Sequence, residues 1–205
     1  MTPLTLSTAD GIDLEARLDA PDDPQRCLVL CHPHPLHRGT MTAPLMVAIT
    51  THLVTAGFAV LRFNFRGVGA SGGSHGHGRE ELADIDAAVA AVESAHPGLP
   101  QSIAGWSFGA ATALAWQAAR GDARPYAGIA PPVDSVRAPA LPLPEVLEPA
   151  RRTFVIGDRD QFTTIADLER YAESIGADVE VIRGSDHFFF FREDRVAAIL
   201  AKTLS

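Results

Sequence analysis

Ser102-Ile103-Ala104-Gly105-Trp106-Ser107-Phe108-Gly109-Ala110-Ala111 reads as a buried strand that turns sharply into a helix, with Ser107 at the apex. In a Gly-x-Ser-x-Gly turn, glycines two residues before and after the serine let strand and helix approach without a Cβ clash. The serine is held in strained backbone that lifts its hydroxyl clear of a sheet. The helix beyond it begins with free N–H groups and a positive dipole end, so negative charge developing beside Ser107 is stabilised there.

The pattern occurs three times, because Gly69-Ala70-Ser71-Gly72-Gly73 and Gly72-Gly73-Ser74-His75-Gly76 also fit it. Context separates the three. The two earlier matches lie in a glycine-rich loop with no helix starting at the serine, whereas Gly105–Gly109 follows an apolar run and leads into a helix over Phe108–Arg120. That helix carries Ala110, Ala111, Ala113, Ala115, Ala118 and Ala119, small enough to pack closely on a sheet, and Gly121 is its natural stop.

A length of 205 residues suits one well-buried domain over 1–205, and 46% hydrophobic with 20% charged residues is ordinary for a soluble globular chain. A net charge of −8 without any Lys/Arg cluster argues against nucleic acid or an anionic membrane surface as partner. No apolar run reaches membrane-spanning length, and acidic Asp10, Asp13 and Glu15 stand where a secretory leader needs a basic and then an apolar region. Cys27 and Cys31 are four strand steps apart, about 13 Å between Cα atoms, too far for a disulfide. Reduced thiols and the missing leader together lead to the expectation of a cytoplasmic protein.

Working outward, Leu4–Thr8 and Ile12–Ala20 form a hairpin about Asp10-Gly11. Cys27–Cys31 is a buried strand ended by His32-Pro33-His34-Pro35. A helix starts near Ala43-Pro44 with Thr42 as cap and stops at Gly57. Phe58–Phe65 is a strand opening into the glycine-rich turn Arg66–Gly73, and a helix over Arg79–Ser94 carries Leu82, Ile85, Val89 and Val92 on one face. After the central helix come strand Tyr126–Ala130, the proline-studded connection Pro131–Pro149, strand Thr153–Ile156, helix Ile165–Ile175, strand Val179–Ile182 and helix Glu193–Leu204. Such alternation predicts an α/β fold, a mostly parallel sheet covered by helices on both faces.

Parallel sheets carry function in the loops beyond the strands' carboxyl ends. Two such loops, Gly157-Asp158-Arg159-Asp160 and Gly184-Ser185-Asp186-His187, follow Ser107 in the chain and complete an order of serine, acid and histidine. With Asn64-Phe65-Arg66-Gly67-Val68-Gly69-Ala70-Ser71 and the Ser107 turn, they resemble a small α/β-hydrolase over essentially the whole length. His32-Pro33-His34-Pro35 resembles a capless bacterial subgroup near the dienelactone-hydrolase type.

The resemblance implies that Ser107 is the nucleophile, His187 the general base, and an acid the group that orients His187. In the family pattern the acid stands three residues after the loop glycine, which selects Asp160 and leaves Asp158 as a turn residue bonding its own loop. The backbone N–H of Phe108 is the implied first oxyanion donor. For the second, Pro33 and Pro35 have no N–H, which leaves His34 at the family-equivalent position. No cofactor is implied.

His32, His34, His37, His75 and His77 invite a metal reading, but no His-Glu-x-x-His helix and no carboxylate at fixed spacing accompany them, so no metal is expected. Arg66, just after a strand and before Gly67, is expected to tie down its own loop rather than bind a substrate carboxylate. A small-molecule substrate is the expected partner, and the oligomeric state stays open. The expected activity is that of a carboxylesterase-like serine hydrolase cleaving a small ester. The same triad also serves a peptidase or a perhydrolase-like reaction, and the fold also serves non-enzymatic binding or scaffolding.

Where larger relatives insert a helical lid, Ala130–Arg151 is short and holds Pro131, Pro132, Pro139, Pro142, Pro144 and Pro149, so no cap domain is expected. Trp106, Phe108 and the loop Leu36–Met41 are the expected walls of an open site.

Overall fold

Short apolar runs alternate with Ala- and Leu-rich segments to give one eight-stranded sheet and its covering helices in the computed structural model, which describes residues 2–205. The strands are β1 (Thr2–Ser7), β2 (Asp13–Asp19), β3 (Arg26–Cys31), β4 (Phe58–Phe63), β5 (Gln101–Trp106), β6 (Tyr126–Ile129), β7 (Arg152–Gly157) and β8 (Asp178–Ile182). The α-helices are α1 (Pro44–Thr55), α2 (Glu81–Ala95), α3 (Phe108–Arg120), α4 (Ile165–Ser174) and α5 (Glu193–Thr203).

The sheet order is β1-β2-β4-β3-β5-β6-β7-β8. The N-terminal hairpin pairs antiparallel and joins β4 antiparallel, whereas every pair from β4 through β8 is parallel. Chain order reverses at β3, which lies between β4 and β5. A crevice opens at the carboxyl ends there, the place where ligands enter such sheets.

Central strands are apolar on both faces because both are covered. Leu28, Leu30, Val60 and Ala104 point to α1 and α5, where Leu45, Ile49, Leu53, Val196 and Leu200 are buried. Val29, Leu61 and Ile103 point to α2, α3 and α4, against Ile85, Val92, Leu114 and Leu168. Each such fully buried aliphatic side chain contributes roughly 1.5–3 kcal/mol relative to exposure.

Close contact of α3 with the sheet depends on two glycines. A Cβ on Gly105 would collide with the backbone of Gly109, and one on Gly109 with the carbonyls of Cys31 and His32. Gly121 ends α3 in the left-handed region at φ 59°, as its sequence position predicts.

Thr42 does not cap α1. The N-cap is Ala43, with no side-chain cap bond, and Pro44 follows it. Thr40 diverts Thr42, with the two hydroxyls 3.1 Å apart and Thr42 N–H donating to Thr40 Oγ1. Proline at the first helical position has no N–H to satisfy, so one of the orphan donors that a cap would serve is already gone.

The connection after β6 contains only the 3₁₀ turn Pro144–Val146. Val133, Ala138, Leu141 and Leu147 pack against the core, and Tyr171 Oη of α4 donates to the Pro142 carbonyl at 2.9 Å. The segment thus meets α4 at Pro142 and reaches the glycine-rich loop at Pro139, whose ring a Cβ on Gly78 would strike, and it contains no helical lid. No helix among the described residues is long and apolar enough to cross a membrane.

Candidate active site

Ser107 sits between β5 and α3 at φ 55°, ψ −117°. A left-handed φ on a non-glycine residue costs on the order of 1–3 kcal/mol and persists only when its surroundings enforce it. Here they do: Ser107 N–H donates to Ile129 O of β6 at 2.7 Å, while Ser107 O accepts from Ala110 and Ala111 of α3. The hydroxyl-bearing residue is half-buried at the carboxyl end of the sheet.

The loops after β7 and β8 meet beside it. Gly157 lets them touch, because a Cβ there would collide with the Ser185 carbonyl. Arg159 N–H donates to Ser185 O at 2.9 Å. Across this seam Asp160 Oδ2 stands 2.8 Å from His187 Nδ1, with the Asp160 side chain fully buried and that of His187 7% exposed. Asp160 Oδ1 accepts from the N–H groups of Phe162 at 2.8 Å and Thr163 at 3.1 Å. Its two oxygens are thus given separate tasks.

Asp158 bonds a neighbouring loop and not its own, a correction to the sequence expectation. Its Oδ1 accepts from Gly184 N–H at 2.7 Å and so fixes the start of the His187 loop. The histidine is also tied to the serine turn, because Trp106 Nε1 donates to His187 O at 3.1 Å. Ser107, Asp160 and His187 are therefore drawn to one end of the sheet by adjoining loops.

On the other side of Ser107 lies the loop after β3. The backbone N–H groups of His34 and Phe108 have no hydrogen-bond partner among the described residues. The His34 ring packs 5.0 Å from the Phe108 ring and 5.2 Å from that of His75. Burial, chiefly, holds the His34 imidazole below its ordinary pKa, with the Arg137 carbonyl opposing and His37 adding to the effect.

Sequence reasoning missed the roles of two residues that build the loops on this side, one in the loop after β3 and one beneath the Gly/His loop. His32 is fully buried; its Nδ1 is 2.6 Å from Pro33 O and its Nε2 accepts from Phe65 N–H at 3.0 Å. Accepting that N–H requires a lone pair on Nε2, so the ring is neutral with its proton on Nδ1. Burial pushes its pKa down to about 4. Glu81, also fully buried, accepts from Gly76 N–H at 2.8 Å and Gly78 N–H at 2.7 Å and so pins the Gly/His loop. His75 Nδ1 is 2.8 Å from Glu81 Oε1 but out of hydrogen-bonding alignment, which leaves both ring nitrogens without a hydrogen-bond partner. Neither role is legible locally, since a histidine and a glutamate near glycines carry no sign of burial.

Arg66 has the structural role expected of it, though its partners lie elsewhere. Its guanidinium bonds Asp84 of α2 at 2.7 Å and Asp10 of the hairpin turn at 2.8 Å. Among the described residues no three His, Cys, Asp or Glu side chains are arranged to hold a metal ion. Phe108 and Met41 are core residues, 1% and 0% exposed, so they do not wall the site as expected. The rings that flank His187 are those of Phe162 at 4.7 Å, Phe188 at 5.6 Å and the expected Trp106 at 6.1 Å.

Comparison with known proteins bears on this arrangement. Residues 23–157 match a family profile described as serine aminopeptidase, S33. An uncharacterised Rickettsia prowazekii protein, RP471, is 30% identical over 187 residues, covering 87% of this chain and 77% of that protein. Among solved structures, a lidless α/β serine hydrolase from Xanthomonas campestris, XC6422, is 27% identical with a TM-score of 0.85, covering 99% of this chain and 93% of that one. An α/β serine hydrolase homologue from Coxiella burnetii is 27% identical with a TM-score of 0.84, covering 100% and 97%.

Proposed function

Since the chain belongs to the serine aminopeptidase S33 family of α/β-hydrolases, we propose that it cleaves a small ester-like substrate through an acyl-enzyme formed on Ser107. Family and fold indicate a serine hydrolase. The observation that carries the finer reading is the 2.8 Å contact of Asp160 with His187 Nδ1, because it leaves Nε2 as the ring nitrogen free to exchange a proton.

In this mechanism Ser107 Oγ attacks the substrate carbonyl carbon as its proton passes to His187 Nε2. Negative charge moves to the carbonyl oxygen, where the N–H groups of Phe108 and His34 receive it at the positive end of α3. Collapse expels the leaving-group oxygen, which takes the proton from His187. Water then repeats the sequence on the acyl-enzyme, giving its proton to His187, and Ser107 recovers that proton as the acid departs. Asp160 holds the Nδ1–H tautomer and stabilises the imidazolium at each stage. The chain supplies every group this sequence needs, so no cofactor or metal is invoked.

The proposed setting is cytoplasmic, consistent with Cys27 and Cys31 both being buried and free. The decisive experiment is fluorophosphonate labelling with p-nitrophenyl acetate turnover. Wild type is expected to label and turn over; Ser107→Ala is expected to do neither while keeping its fold by circular dichroism. Ser71→Ala is expected to label normally, since Ser71 Oγ is engaged with Asn64 O at 2.7 Å and Glu15 N–H at 2.9 Å. Labelling that persists in Ser107→Ala sinks the assignment.

A further inference from the structure

The two sides of Ser107 differ in chemistry. Towards the loop after β3, His34 lies 4.6 Å from His37 and 5.2 Å from His75, and the Phe108 ring that packs against His34 is buried. Towards His187 the exposed rings are phenyl groups, the Trp106 indole 6.1 Å away being buried. Phe162 meets His187 edge-on at 4.7 Å and is 61% exposed. Phe188 meets it edge-on at 5.6 Å, is 39% exposed, and has Phe190 stacked behind it at 5.8 Å.

Local structure is committed to keeping these rings in water. Phe162 N–H is held by Asp160 Oδ1 at 2.8 Å and Phe188 N–H by Asp186 Oδ1 at 3.0 Å. Phe189 and Phe191 adopt left-handed φ of 56° and 61°, rare for bulky residues. The first of these turns buries Phe189 completely in the core while Phe188 and Phe190 remain at the surface. Exposed apolar rings grouped at one place mark a surface that meets a ligand.

Proton transfer says which part of a substrate arrives there. His187 Nδ1 is committed to Asp160, so the proton for the leaving-group oxygen comes from Nε2, and that oxygen must come within a hydrogen bond of it. The atoms that follow the leaving oxygen must then lie beside whatever flanks His187. We propose that Phe162 and Phe188 form a leaving-group subsite for an aromatic alcohol, so that the preferred substrates are arylmethyl or aryl esters. An aromatic guest meets phenyl faces edge-on and gains beyond the burial of area, which a saturated ring of the same size does not. The inference rests on the hydrolase reading above and adds the substrate's alcohol class to it.

The test compares benzyl acetate with cyclohexylmethyl acetate, whose alcohols are similar in size and similarly poor leaving groups, using acetate release by the purified full chain. Wild type is expected to prefer the benzyl ester about fivefold in kcat/KM. Phe162→Leu/Phe188→Leu keeps apolar bulk but removes both rings, and is expected to bring the ratio close to one. Fluorophosphonate labelling of the same samples separates the two failures. A labelled, active wild type with a ratio near one, or a variant that keeps the full preference, overturns the subsite alone. Absence of both labelling and acetate release overturns the hydrolase reading and the subsite with it.

Discussion

Asp160 Oδ2 faces His187 Nδ1 at 2.8 Å while Asp160 Oδ1 accepts two backbone N–H groups, from Phe162 and Thr163. The second fact decides what an amide would do in its place. In Asp160→Asn the amide oxygen must stay with the two N–H donors, which turns the NH₂ towards His187 and makes Nδ1 an acceptor. The ring proton then moves to Nε2, where it blocks proton uptake from Ser107.

Asp160→Asn is therefore expected to lower kcat on p-nitrophenyl acetate by on the order of 10⁴, as for a serine-triad acid. Asp158→Asn keeps an oxygen for Gly184 N–H and should lose less than about tenfold, since a loop-positioning bond contributes far less than the tautomer. The reverse ranking in steady-state kinetics would move the acid to Asp158.

Much of this was legible in the sequence, for physical reasons that differ by element. Apolar runs bounded by Gly and Pro located the strands, and Gly105 and Gly109 located the elbow because close strand–helix contact admits no Cβ. The resemblance separated Asp160 from Asp158, but the partner of Asp158 was hidden: both lie in one short loop, and only the position of Gly184 across the seam gives Asp158 its task. Phe162 was likewise invisible as a flank of His187, since 25 residues separate them and one loop carries each. The burial of His32 and Glu81 arises wholly from long-range packing, which periodicity does not encode.

His32 makes stability depend on pH in a definite direction. Its folded pKa of about 4 lies below the ordinary 6.5, so between these values the unfolded chain binds a proton that the folded chain refuses. Stability from this group is complete above about pH 6.5, declines as pH falls through the window, and is spent near pH 4; by linkage the loss is at most about 3 kcal/mol. Urea unfolding of wild type at steps from pH 7 to 4 is expected to show that slope. His32→Gln, which has no proton to gain, is expected to flatten it, and an equal slope in both proteins would remove His32 as the cause.

Glu81 is expected to act on stability through its hold on the glycine-rich loop. Its oxygens accept the N–H groups of Gly76 and Gly78, so in Glu81→Gln an amide NH₂ must either face a donor or leave one unpaired in the interior. A buried unsatisfied donor costs about 1–3 kcal/mol, which should appear as a lowered urea midpoint at constant slope. A midpoint unchanged within error would mean that water satisfies the loop as well as Glu81 does.

Substrate length is the last expectation, and it follows from where the chain after β6 goes. A lid in that place would cover the crevice, but here Tyr171 Oη and the Pro131 carbonyl's bond from Thr163 Oγ1, at 2.9 and 3.0 Å, hold the segment down on α4 and the β7 loop. An acyl chain on Ser107 would thus meet no helical lid, since the segment holds only the 3₁₀ turn Pro144–Val146. Each buried methylene contributes roughly 0.8 kcal/mol, about fourfold in kcat/KM, so gains should continue only while new carbons find protein to leave water against. Across p-nitrophenyl esters, acetate to butyrate are expected to be turned over best, with kcat/KM level or falling from hexanoate onward and no jump when substrate forms micelles. A rise that continues through decanoate, or activation at the micelle threshold, would require a larger apolar cover than residues 130–151, with their single 3₁₀ turn, can form.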